Sequence, residues 1–85
     1  MTREQIRTAD MFYMFCHANA DGTPVRWRRN GRTKIWKTRP HDFKIPVKHG
    51  MYDYGYITPE NMHEFTAVED DAVAYQKASP HMVKK

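Results

Sequence analysis

A single cysteine, Cys16, stands in a chain of 85 residues. It has no partner for an internal disulfide, which removes the staple that most small secreted domains rely on. No apolar run approaches the ~20 residues of a membrane span. No basic segment followed by an apolar stretch opens the chain, so no secretory leader is expected. These absences point to a reducing cytoplasm and to no membrane partner. Glycine is sparse at four residues, and neither a glycine-rich phosphate loop nor a Gly-x-Ser-x-Gly elbow is present. Five histidines invite a metal reading, but the spacings of a metal site are missing, and His63-Glu64 lacks the second histidine of a zinc helix. Cys16 and His17 are neighbours on a strand-like run and project to opposite faces. No metal and no other cofactor is expected. Cys16 with His41 or His49 is a formal nucleophile pair, yet a small thiol in an apolar run reads first as packing. His41-Asp42 beside Arg39 is too little for a nuclease centre. The chain is not expected to be an enzyme.

What is present is charge, and it is unevenly placed. The net charge is +4, with 28% charged residues and 40% hydrophobic ones. A chain this short is one domain with a small core. Nine bases lie between Arg26 and Lys48, with Asp42 as the one acid. Six acids and no Lys or Arg lie between Asp53 and Asp71. The two blocks either neutralise each other across the fold or leave a basic surface for a partner. Exposed ion pairs contribute only about 0–1 kcal/mol each, so stability alone does not demand the pattern.

Local chemistry divides the chain into an extension or short helix over 1–10, a β domain over 11–68 and a C-terminal helix and tail over 69–85. Thr2-Arg3-Glu4-Gln5 has the outline of a capping box. Met11–Ala18 is a strand-sized apolar run, followed by turn residues at 19–22. Asn30-Gly31 between Thr23–Arg29 and Arg32–Thr38 predicts a two-residue hairpin of type I′. That register sets Arg29 opposite Arg32 and puts Trp27 and Trp36 diagonally on one face. Pro40 breaks the second arm. Phe43–Lys48 points Phe43, Ile45 and Val47 one way and Lys44, Pro46 and Lys48 the other, and Pro46 marks it as an edge strand. Met51–Ile57 aligns Tyr52, Tyr54 and Tyr56, expected to cap the core. Thr58-Pro59-Glu60 opens a short helical turn near 58–63, Phe65–Val68 is a last strand, and Glu69–Ala78 is a helix with acids first and Lys77 last. Ser79-Pro80 ends it, with a loose tail beyond.

The order of strand, hairpin, edge strand, strand, helical turn and closing strand resembles small SH3-like barrels. The expected fold is therefore mainly β: a small antiparallel sheet or an SH3-like barrel with short helices. The aromatic groove of signalling SH3 domains is not recognisable, so proline-rich peptide binding is not implied. The motifs Asn30-Gly31, Trp36-Lys37-Thr38-Arg39-Pro40, Ile45-Pro46-Val47-Lys48 and Tyr54-Gly55-Tyr56-Ile57-Thr58 are similar to small phage- and prophage-encoded proteins. That likeness implies an accessory product in a bacterial host cytoplasm and carries no activity or site residues.

The basic hairpin is the candidate site. Like charges opposed across strands are destabilising, and an anion between Arg29 and Arg32 would relieve them. With Arg26, Arg28, Lys34, Lys37 and Arg39 nearby, the ribbon is expected to contact phosphates of DNA or RNA. The alternative is a phage-encoded inhibitor that binds a host protein through the basic patch or the acidic side. Self-association through an edge strand such as Phe43–Val47 is a further possibility.

Overall fold

Thr2 starts the first helix, α1 (Arg3–Thr8), and the expected capping box forms. Its hydroxyl accepts from Gln5 N at 3.1 Å, and Gln5 Oε1 accepts from Thr2 N at 2.9 Å. Six residues of helix are marginal on their own. Met1, Ile6 and Ala9 hold α1 against the core. The computed structural model describes residues 1–39 and 41–85, and the strand break expected at Pro40 lies outside them.

Among the described residues six strands follow: β1 (Met11–Ala18), β2 (Pro24–Arg29), β3 (Lys34–Ile35), β4 (Phe43–His49), β5 (Asp53–Ile57) and β6 (Phe65–Thr66). A 3₁₀ turn over Met62–Glu64 precedes β6, and α2 (Glu69–Ala78) follows it. These strands pair antiparallel with one another and lie in the order β5-β4-β2-β1-β6, with β3 beside the N-terminal half of β4.

The sheet is open, so the SH3-like barrel is not formed, and the fold is mixed α and β. Closure would need an edge of β1 for a full last strand. β6 pairs only with Tyr13 and Met14, and the tail takes the next stretch of that edge. Ala18 N donates to Lys84 O and Lys84 N to Cys16 O, each at 2.8 Å. The tail expected to be loose is therefore pinned to β1.

The Asn-Gly hairpin is also absent. Arg28 and Arg29 pair with Lys48 and Val47, and Lys34 and Ile35 pair with Lys44 and Phe43. β2 and β3 thus run one after the other along the same edge of β4. Between them, Asn30 to Thr33 oppose only Ile45 and Pro46, a bulge of two extra residues. A type I′ turn needs positive φ at Asn30 as well as at Gly31, and only Gly31 has it, at 131°. The bulge answers a demand of β4. Pro46 has no N–H to donate, and its carbonyl accepts from Asn30 N at 2.7 Å. With the ladder interrupted there, a proline sits inside a strand paired on both sides. Phe43–Val47 is consequently no edge strand and offers no edge for self-association.

One face of the sheet carries the core: Phe12, Phe43, Ile45, Val47, Ile57 and Phe65. Each such burial is worth about 1.5–3 kcal/mol. Trp27 joins it from β2 opposite Phe12, its indole N–H donating to Met14 Sδ at 3.3 Å. On the other side α2 packs on β1 through buried Ala72 and a Tyr75–Phe15 ring contact of 5.3 Å. No helix among the described residues is long and apolar enough to cross a membrane.

Candidate nucleic-acid interface

Strand alternation decides which charges meet. Phe43, Ile45 and Val47 turn to the core, so Lys44, Pro46 and Lys48 turn outward. Cross-strand partners share a face, so one row runs Met11, Arg28, Lys48, Tyr54 across β1, β2, β4 and β5. Beside it lie Tyr13 opposite Arg26, Tyr56 opposite Pro46, and Lys34 opposite Lys44. Arg28 faces Lys48 and Lys34 faces Lys44: two like-charged pairs stand in register on an exposed surface. The tyrosines are not core caps. Tyr54 and Tyr56 are 66% and 53% exposed. Lys44 Nζ lies 3.9 Å from the Tyr56 ring centroid, which sets an ammonium directly on an aromatic face.

Of the acidic block, Glu69 reaches this surface, and no acid of the block makes an ion pair with it among the described residues. Among the described residues the one ion pair is Arg39 with Asp42, at 3.5 Å. At one end of the face an open cleft of about 560 Å³ is lined by Tyr13, Arg26, Arg28, Lys48, His49 and Glu69. His49 Nδ1–H donates to Arg26 O at 2.9 Å, which fixes that ring's tautomer. Burial raises the Tyr13 phenol above its ordinary pKa, the Glu69 charge adds to this, and Arg26 opposes it.

The seven bases singled out along the chain separate into distinct places. Arg26, Arg28 and Lys34 belong to the exposed face. Lys34 Nζ and Arg39 Cζ lie 5.2 and 5.6 Å from the ring centroid of Trp36, and Lys37 is exposed beside them. Arg29 is not at a free tip facing Arg32. It points to the core side, over the Phe12 ring at 5.5 Å. Its Nε donates to Ala9 O at 2.5 Å and its terminal nitrogens to Ile6 O at 2.7 Å and Thr33 Oγ1 at 2.5 Å. The guanidinium is spent on the carbonyl end of α1. Burial holds its pKa below the usual value, with Asp10 opposing. Arg32 lies in the bulge beside Arg3 and Arg7 of α1.

Lys44, Lys48, Tyr54 and Tyr56 were not among the expected contacts. Their signal was in the sequence as the polar side of two alternating strands, but only the register aligns it with Arg28. Among the described residues no group of three or more His, Cys, Asp or Glu side chains is placed to hold a metal ion. No known protein family, curated protein or solved structure matches the chain.

Proposed function

We propose that the exposed face of the sheet binds single-stranded nucleic acid. Phosphates lie on Arg26, Arg28, Lys34, Lys44 and Lys48, and bases stack on Tyr54 and Tyr56. The observation that carries this reading is the in-register opposition of Arg28 with Lys48 and of Lys34 with Lys44, beside two exposed tyrosines. Each like-charged pair is unfavourable in the free protein and becomes favourable around a polyanion. Rings on an open sheet suit unstacked bases, which a duplex does not offer. Arg29 takes no part.

Fluorescence anisotropy with labelled oligouridylate, oligothymidylate and a duplex of equal length tests it. The expected order is either single strand above duplex at low salt, with a loss on Tyr54→Ala and Tyr56→Ala. No binding to either single strand at low salt overturns the proposal. So does recovery from lysate of a nuclease-insensitive protein complex on this same face in place of nucleic acid.

A further inference from the structure

Three arginines on the far side of the bulge take no part in the face described above. Arg3 and Arg7 stand four residues apart on α1, where like charges repel. Arg32 reaches the same place from the bulge. Together with Thr33 and Ile35 they line an open depression of about 610 Å³. All three arginines are exposed. Among the described residues no acid lines the depression. The nearby acid of α1, Glu4, has its Oε1 3.5 Å from Thr8 Oγ1, and Asp10 acts on Arg29.

Their meeting is built into the fold. Thr33 Oγ1 donates to Ile6 O at 2.5 Å, and Arg29 binds Ile6 O and Ala9 O from the same segment. These bonds tie the bulge to the end of α1 and carry Arg32 to the helix flank. The same bonds occupy Ile6 O and Ala9 O at the end of α1, whose negative ends would otherwise oppose an anion.

We infer that Arg3, Arg7 and Arg32 form a binding site for a phosphoryl dianion. Three arginines line one open depression, and a phosphate monoester has the charge and the oxygens to engage more than one guanidinium fork. The group comes from one of two sources, free phosphate or the terminal phosphate of a nucleic-acid strand. The inference is independent of the sheet face.

The test follows the arginine Nε–Hε resonances of the full chain by NMR at constant ionic strength. Inorganic phosphate is expected to shift Arg3, Arg7 and Arg32 saturably, and Arg3→Gln or Arg32→Gln to weaken it by roughly three- to tenfold. A single strand with a 5′-phosphate is then compared with its 5′-hydroxyl twin. Tighter binding of the phosphorylated strand, with the same three signals moving, assigns the site to a strand end. Equal binding of the two strands, with the response to inorganic phosphate retained, assigns it to free phosphate. No saturable shift of these signals with any probe overturns the site, even where the strand still binds through Tyr54 and Tyr56. Loss of strand binding with the phosphate response intact removes the sheet-face reading alone.

Discussion

Arg28 on β2 and Lys48 on β4 are direct partners across the sheet, both on its exposed face. Reversing one charge turns a repulsive pair into an attractive one. Lys48→Glu is expected to raise stability by about 0.2–1 kcal/mol in urea denaturation. It is expected to weaken single-strand binding in the same preparation. A binding surface predicts these opposite signs, and a merely solvated face predicts the first alone.

The tyrosines separate stacking from charge. Tyr54 is 66% exposed, so alanine there should leave the unfolding midpoint nearly unchanged, whereas Tyr56→Ala also removes the Lys44 contact and should cost about 0.5–1 kcal/mol. Each should weaken single-strand binding by about 1–3 kcal/mol, measured by anisotropy, without altering its salt dependence.

Gly31 holds the bulge over Pro46. A Cβ at Gly31 would come within 3.1 Å of Pro46 Cγ, on a backbone at φ 131°. Gly31→Ala is expected to lose about 1–3 kcal/mol in urea denaturation. Adding Pro46→Ala should recover only the part due to the contact, since the backbone angle stays unfavourable.

Arg29 separates structure from binding within the basic stretch. Arg29→Lys keeps the charge and loses the fork that holds Ala9 O, Ile6 O and Thr33 Oγ1. A cost of about 1.5–3 kcal/mol and faster amide exchange in α1 are expected. Affinity for a single strand should be unchanged.

Asp21 gives the acid response of the β1–β2 turn. Its carboxylate accepts from Thr23 Oγ1 at 2.6 Å and Thr23 N at 3.0 Å, and these bonds hold its pKa below the ordinary value. A lowered folded pKa means the turn is fully supported above the ordinary value. That support is lost as pH falls through the folded one. NMR should show the Thr23 amide following the Asp21 titration, with a midpoint below that of an unstructured aspartate.

Legibility in the sequence followed the range of the interactions. The capping box at Thr2, the strand Met11–Ala18 and the helix Glu69–Ala78 were readable because neighbours in the chain determine them. Asn30-Gly31 misled because a local turn preference yielded to the pairing of β2 and β3 with β4. Pro46 misled because its missing donor is accommodated by a bulge that comes from another part of the chain. The proposed face was half legible. Arg26, Arg28 and Lys34 stand out along the chain, whereas Lys44, Lys48, Tyr54 and Tyr56 join them only across the sheet. Arg29 was misplaced because α1, which takes it up, is some 20 residues earlier.

The salt dependence of single-strand affinity tests the central claim most directly. With five bases on the face and about −0.7 per phosphate contacted, the plot of log affinity against log salt should have a slope between about −2 and −4. Arg28→Ala with Lys48→Ala should flatten it by about 1. A slope near zero, or one that this double substitution leaves unchanged, would contradict the account.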